Sequence, residues 1–344
     1  MKKENTKFKF IDLFAGIGGF HMAMHSAGGK CVFASEWDKY ARITYEANYK
    51  KNNEELFLNG NFNSDINDAD PNKIPDFDVL CAGFPCQPFS HAGLKKGFDD
   101  TRGTLFFNIA NIIDIKKQKG CPPKVLLLEN VKGLRSHDKG RTLITIIEVL
   151  NSLGYNVDTH VLNSKYFGVP QNRERLFIVA WLKNKNGPII FNFPLGLDKN
   201  DKPIFEENIL HLKAKSVKVA DILLPKVDEK YTISDRLFAG HIRRLKEHKE
   251  KGNGFGFSLF TPESNYTSTI SARYYKDGSE ILIRQENQNP RKLNPIEAGL
   301  LQGYPIDKGF KIVVSDVQAY KQFGNSVSVP VVKTLAKEIL KQLL

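Results

Sequence analysis

A thiol, a carboxyl and two guanidiniums stand where strands of this chain should begin or end. Cys86 lies in Gly83-Phe84-Pro85-Cys86-Gln87-Pro88-Phe89-Ser90, directly after the apolar run Phe77 to Ala82. That run reads as a buried strand of a parallel sheet. Pro85 and Pro88 forbid continuing a ladder or a helix. The backbone must turn out at the strand's C-terminal end, the edge where open α/β sheets place ligands and chemistry. A thiol there is a candidate nucleophile; the plainer reading is a small buried core residue. Glu129 emerges from Val125-Leu126-Leu127-Leu128. A partly desolvated carboxyl has a raised pKa and suits proton donation; alternatively it caps the following turn. Arg173 and Arg175 alternate onto one face as a strand begins. They suit gripping a carbonyl or a phosphate, or an edge-strand salt bridge with Glu174.

A second group of residues suits a nucleoside. Phe14-Ala15-Gly16-Ile17-Gly18-Gly19 follows the strand Lys7 to Leu13, and Glu36 ends the strand from Cys31 to Ala34. A glycine turn after one strand and a carboxylate after the next is the arrangement that holds a ribose. Gly16 and Gly18 fit the first two positions of the dinucleotide fingerprint, but the third falls on His21. A pyrophosphate needs that close approach, so S-adenosylmethionine fits better than NAD. Asp65, in Ser64-Asp65-Ile66, marks a third strand end and suits an adenine amino group. A plain tight turn, a solvated strand-end acid and an ordinary loop are the other readings of these three features.

The elements that must position these groups alternate strand and helix from Lys7 to Trp181. Leu105, Phe106, Ile109, Ile112 and Ile113 recur at helical spacing, and Leu143 to Leu153 forms an amphipathic helix. Tyr155 to Leu162 and Leu176 to Trp181 complete the strands. Between them, Ser90 to Thr101 carries Gly93, Lys95, Lys96 and Gly97, and reads either as a flap over a polyanion or as a surface loop. From Lys183 the texture shifts to Asn, Lys and Pro with short β-like pieces. A basic helix is expected from Asp235 to Lys251. Lys276-Asp277-Gly278-Ser279 interrupts two β-rich runs and predicts a hairpin. Asn294-Pro295-Ile296-Glu297 opens a helix, Gln318 to Ser328 is expected as a loop, and Val331 to Leu344 as a final helix.

The 344 residues allow one large or two ordinary domains, and 41% hydrophobic composition excludes wholesale disorder. Apolar runs are too short for a membrane span. The polar Met1 to Lys7 leads straight into a strand, so no secretion leader is expected. Cys31, Cys81, Cys86 and Cys121 show neither a CxxC pair nor metal-ligand spacing, so a reduced cytoplasmic protein without metal is expected. The net charge of +12 favours a polyanionic partner, although Lys- and Asn-rich composition alone raises it too.

The ordered set resembles the DNA (cytosine-5)-methyltransferase family of bacterial restriction-modification systems. The motifs are Phe14 to Gly19, Glu36-Trp37, Gly83 to Gln87, Glu129-Asn130-Val131, Gln171 to Arg175, and Gln322-Phe323-Gly324-Asn325-Ser326. The resemblance covers almost the whole chain. It implies an α/β fold: a Rossmann-like S-adenosylmethionine-dependent methyltransferase domain with a smaller, β-rich target-recognition domain. Residues 1–182, completed by 318–344, would form the catalytic domain, 183–290 the target-recognition domain, and 291–317 the connection between them. By resemblance Cys86 adds to C6 of cytosine, Glu129 protonates or hydrogen-bonds N3, and Arg175 holds O2 with Arg173 in support. Phe14, Gly16, Gly18, Glu36, Trp37, Asp65, Ile66, Pro85, Leu105 and Asn325 would line the cofactor pocket. Gln87, Ser90, Arg273, Tyr274 and Lys276 would meet the DNA.

A base inside a duplex is out of reach and must be flipped out. The hairpin at Asp277-Gly278 would present Ser271 to Tyr275 to the major groove, with Arg273 on a guanine; a phosphate contact or a packing stem is the other reading of Arg273. Ser271 to Gly278 resembles a stretch shared by members that modify short GC-rich sites. A monomer acting on double-stranded DNA is expected, with a companion restriction endonuclease. Three rivals stay open. They are a transfer-RNA cytosine-5 methyltransferase, disfavoured by the long segment from Lys183 to Pro290; a non-catalytic DNA-binding protein on the same scaffold; and a cysteine hydrolase, disfavoured because no histidine stands at a motif.

Overall fold

The computed structural model describes residues 6–85, 105–184, 187–212, 217–252, 254 and 256–344. Strands form where β-branched and aromatic residues alternate or run together between glycine turns. In chain order the first elements are β1 (Phe8–Leu13), α1 (Gly19–Ser26), β2 (Gly29–Ser35), α2 (Lys39–Tyr49), β3 (Phe62–Asn63) and β4 (Val79–Gly83). After them come α3 (Leu105–Gln118), β5 (Val125–Val131), α4 (Arg141–Ser152), β6 (Tyr155–Asn163) and β7 (Glu174–Leu182). These strands build one seven-stranded sheet in the order β3-β2-β1-β4-β5-β7-β6. Neighbours from β3 to β5 run parallel, and β7 is inserted antiparallel to β5.

The chain moves outward from β1 to β3, then returns to lay β4 beside β1. The β1/β4 boundary is therefore the point where winding reverses, and the carboxyl ends of those strands flank a natural ligand crevice. The sheet can be so apolar because both faces are covered. Ile11, Leu13, Leu80, Ala82, Leu126 and Leu128 form one core cluster with Phe106, Ile109 and Ile113 of α3 and Ile146 and Leu150 of α4.

The remaining elements are β8 (Gly196–Leu197), β9 (Pro203–Ile204), α5 (Asp235–Glu250), β10 (Leu259–Phe260), β11 (Leu282–Gln285), β12 (Gln288–Lys292), α6 (Pro295–Leu301), α7 (Asp316–Asn325) and α8 (Val329–Leu343). They form a three-stranded sheet, β10-β11-β12, and a two-stranded one, β8-β9. The chain divides into two compact units: 1–162, 174–194 and 331–344 in the first, 163–173 and 195–330 in the second. Residues 318–330, expected with the sheet-bearing unit, cluster with the second instead. Among the described residues, no helix is long and apolar enough to cross a membrane.

Two expected elements differ. Gln318 to Ser328 is largely helix α7, because Ala319, Tyr320 and Phe323 recur at helical spacing and are buried. The Gly324-Asn325-Ser326 signal marks only the helix end. The hairpin lies at β11–β12 rather than around Asp277-Gly278. Residues 272–277 instead form successive turns. Tyr274, expected to face DNA, is fully buried: its hydroxyl donates to the Ile281 carbonyl (2.6 Å) and accepts from the Leu293 amide (2.8 Å). Its ring packs edge-on against Tyr320.

Candidate active site

The glycine turn after β1 is tightly coiled. Phe14 adopts φ +57°, Gly16 +56° and Gly18 +82°, all in the left-handed region. Gly18 is required twice over, since a Cβ there would lie 2.3 Å from Cε2 of Tyr49. The Tyr49 hydroxyl donates to the Gly18 carbonyl at 2.7 Å and reaches that of Ile17 at 3.3 Å. Behind it, the His21 ring stacks on Tyr49 with centroids 4.0 Å apart, and His21 Nδ1 lies 2.6 Å from the Tyr45 hydroxyl. Sequence reasoning missed Tyr45 and Tyr49. The local signal was only an aromatic pair one turn apart on a helix.

The carboxylate of Glu36 spans the ends of β1 and β2. Oε2 accepts from the Gly16 amide and Oε1 from the Asp38 amide, both at 2.7 Å. Burial pushes this carboxyl up, and those two amides hold it down in part. Each oxygen keeps a second lone pair for a further donor. Beyond Gly16 a Cβ would meet nothing within 4 Å. Trp37 beside it is 77% exposed, unusual for a large aromatic ring. An anchored acid, an open glycine and a bare indole fit an adenosyl group with its two ribose hydroxyls.

Asp65 extends this edge past β3, where its Oδ1 caps the Asn67 amide. Ile66 faces inward and belongs to the core, as Phe14 and Leu105 do in part. Pro85 is exposed just past β4. Cys86, Gln87, Ser90 and the segment to Thr101 lie outside the described residues. Asn325 is exposed at the end of α7, within the second unit.

Glu129 lies inside β5 rather than beyond its end, opposite Gly83 on one side and Phe177 on the other. Its Oε2 is 3.8 Å from where a Gly83 Cβ would stand, so glycine leaves room for the carboxylate. Arg175, second residue of the antiparallel β7, lies across from Val131 and brings its Nε to 3.2 Å from Glu129 Oε1. Burial lowers the Arg175 pKa and Glu129 opposes the fall. The sheet thus delivers a carboxyl and a guanidinium, mostly shielded from water, to the carboxyl edge of β4 and β5. Asn130, given no role from sequence, donates from Nδ2 to the Phe84 carbonyl at 2.8 Å, and its Oδ1 accepts from the Val131 amide. It ties the end of β5 to the exit of β4.

Arg173 and Arg175, expected on one face, have different partners. Arg173 belongs to the second unit and is 2% exposed. It donates to the carbonyls of Ile270, Gly324 and Ser326. It is a strut for the Gly324-Asn325-Ser326 segment. There Gly324 approaches the Ser271–Ala272 backbone so closely that a Cβ would lie 2.3 Å from it.

A winding reversal flanked by an anchored acid on a glycine turn and by an acid–guanidinium pair is an arrangement that fits an α/β enzyme of the methyltransferase kind. Residues 8–341 match the family model for C-5 cytosine-specific DNA methylases, and the chain belongs to that family. It is a DNA (cytosine-5-)-methyltransferase. It is 52% identical to the Type II methyltransferase M.NlaX of Neisseria lactamica, over 96% of each chain. It is 51% identical to the Type II methyltransferase M.SsoII of Shigella sonnei, over 99% of this chain and 82% of that one. Its fold is shared with the crystal structure of the S. pombe Dnmt2 methyltransferase (TM-score 0.71, 20% identity, covering 98% and 99% of the two chains).

Proposed function

We propose that this enzyme moves a methyl group from S-adenosylmethionine to C5 of a cytosine flipped out of a short duplex DNA site, through a covalent bond from Cys86 to C6. The observation that carries the reading is the Glu129–Arg175 pair beside the exit of β4, on the same sheet edge as the Glu36–Gly16 cradle. Phe14, Gly16, Gly18, Glu36, Trp37 and Asp65 would hold the cofactor, with Ile66, Pro85 and Leu105 completing the pocket. When bound, the cofactor supplies an electrophilic methyl on a sulfonium.

The Cys86 thiolate adds to C6 as Glu129 hydrogen-bonds or protonates N3 and Arg175 holds O2. Electron density moved to C5 would take the methyl as its bond to the sulfonium sulfur breaks, leaving a neutral thioether. Loss of the C5 proton to a base then re-forms the C5–C6 double bond and expels the thiolate, restoring Cys86. The first unit serves as catalytic and cofactor-binding domain and the second as target-recognition domain, with a GC-rich site of four to five base pairs. Relatives named as Type II methyltransferases support the reading that this enzyme shields DNA from a companion endonuclease; we infer further that it acts as a cytoplasmic monomer.

DNA carrying 5-fluorocytosine, which cannot lose its C5 substituent, tests the covalent step. The wild type should form a denaturation-resistant adduct, and Cys86→Ala should form none while retaining cofactor and DNA binding. Turnover by Cys86→Ala within tenfold of wild type would overturn the assignment. Labelled methyl transfer to transfer RNA but not to duplex DNA would overturn the choice of substrate.

A further inference from the structure

Helix α5 is almost wholly solvent-exposed, and its one fully buried side chain is a histidine, His241. The helix packs through Phe238 and His241, whose rings meet that of Phe257. Such a helix contributes little apolar burial for its length, so its polar contacts carry unusual weight. His241 Nε2 is 3.2 Å from the Asp277 carbonyl, and Arg244, one turn on, is 2.8 Å from His241 Nδ1 and 3.1 Å from Asp277 Oδ2. A guanidinium can only donate, so Nδ1 must accept. The imidazole is therefore neutral, protonated on Nε2, and donates to the Asp277 carbonyl. Burial lowers the His241 pKa, in keeping with that state. Asp277 Oδ1 accepts from the Ser279 amide, so every oxygen of Asp277 is engaged.

The segment 271–280 has no regular structure, yet it is held along its length. Ser271 bonds to Glu280 and accepts from the Arg273 amide. Tyr274 is clasped by Ile281 and Leu293. Gly278, at φ +66°, packs where a Cβ would lie 2.5 Å from Cγ of Lys292. Arg273 and Lys276 are exposed, the first between the holds at 271 and 274, the second between those at 274 and 277. Both cations are presented from a backbone with little freedom to yield.

We infer that His241 and Arg244 are positioning residues for target recognition: α5 acts as a strut that fixes Asp277 and thereby sets where Arg273 and Lys276 meet the DNA. This rests on the reading of 271–280 as recognition segment. A held backbone lowers the entropy lost at the moment of binding and limits how far the two cations can shift toward a wrong base.

The full-length enzyme tests this once its site has been read by bisulfite sequencing of plasmid from an expressing host. Methylation is then measured on duplexes bearing each single-base change, alongside cofactor affinity and melting temperature. Arg244→Ala and His241→Leu should each lower discrimination between the true site and its best variant by at least tenfold, with cofactor affinity within threefold of wild type. His241→Gln, which can still donate to Asp277 and accept from Arg244, should retain discrimination. Arg273→Ala separates the two layers. If it reorders the sites while Arg244→Ala and His241→Leu scale all sites equally, the strut is rejected and the recognition segment stands. If Arg273→Ala also leaves the ranking unchanged, the segment is not the reader and the strut falls with it.

Discussion

At the scale of single residues, the cradle depends on charges kept in unusual places. Glu36→Ala should weaken S-adenosylmethionine by about 1.5–3 kcal/mol, the range for hydrogen bonds to a charged group. Titration calorimetry checks this, and unchanged affinity would return Glu36 to a purely structural acid. Asp12 and His21 form an opposed pair behind the glycine turn. Asp12 is fully buried in β1; its Oδ2 accepts from the His21 amide, and Oδ1 has no partner among the described residues. Burial pushes this carboxyl well above its ordinary 3.8, whereas burial holds His21 down at about 3. The signs differ. Asp12 contributes its full stability below about pH 3.8 and loses it as pH rises through the folded value. His21 contributes fully above pH 6.5 and loses about 1.4 kcal/mol per pH unit as pH falls toward 3. Relative to wild type, Asp12→Asn should therefore gain stability as pH rises from about 4 to 6.5, and His21→Gln should gain as it falls. Urea midpoints across that range read both, and a pH-independent difference from wild type would reject either claim. The place of Glu36 just past the end of β2 was legible, because strand pattern and residue type suffice to put it there. Tyr49 and Asn130 were not, because their partners are 31 and 46 residues away and only the folded sheet brings them together.

At the scale of elements, α6 shows how a local signal and a distant one combine. Its capping box was readable in Asn294-Pro295-Ile296-Glu297, and it forms, with Asn294 and Glu297 bonding each other's backbone amides. Glu297 is fully buried and also takes a two-pronged bond from Arg291 on β12 (2.8 and 2.9 Å) and the Leu224 amide. Removing the acid strands a buried guanidinium. Glu297→Ala should cost about 3–5 kcal/mol of unfolding free energy, and pairing it with Arg291→Met should recover part of the loss. Denaturant titration of the two single variants and the double decides; additive losses would count against it. The unreadable elements failed for definable reasons. Around 271–280, Thr269, Ile270, Tyr274, Tyr275, Ile281 and Ile283 flank Asp-Gly and imitate a hairpin, but Tyr274 has better partners in Ile281 and Leu293 than a strand ladder offers. In α7, glycine and asparagine at the end masked an apolar periodicity that tertiary packing rewards.

At the scale of the molecule, the alternating pattern announced a parallel sheet. It announced the strand of β7 but not its direction or place: β7 runs antiparallel to β5, lies between β5 and β6, and brings Arg175 to Glu129. Register across non-local strands cannot be read from spacing alone. The two units are likewise interleaved: the chain leaves the first unit after Leu162 and after Pro194 and rejoins it at Glu174 and Val331. Val331, Val332, Leu335, Ala336 and Ile339 of α8 are all at most 1% exposed. Burying the larger of these is worth about 1.5–3 kcal/mol each, against a typical total stability of about 5–15 kcal/mol. A chain ended at Pro330 should therefore fail to give a cooperative melt. A truncated protein melting within about 5 °C of full length would show that α8 is dispensable.

That same return of α8 has a consequence for biosynthesis. Translation at roughly 5–20 residues per second separates the emergence of residue 194 from that of residue 344 by roughly 8–30 seconds. Throughout that interval the nascent first unit lacks α8, whose apolar side chains are buried in the folded protein. Chaperone demand and vulnerability to proteases should peak there, because the first unit is complete only once α8 has emerged.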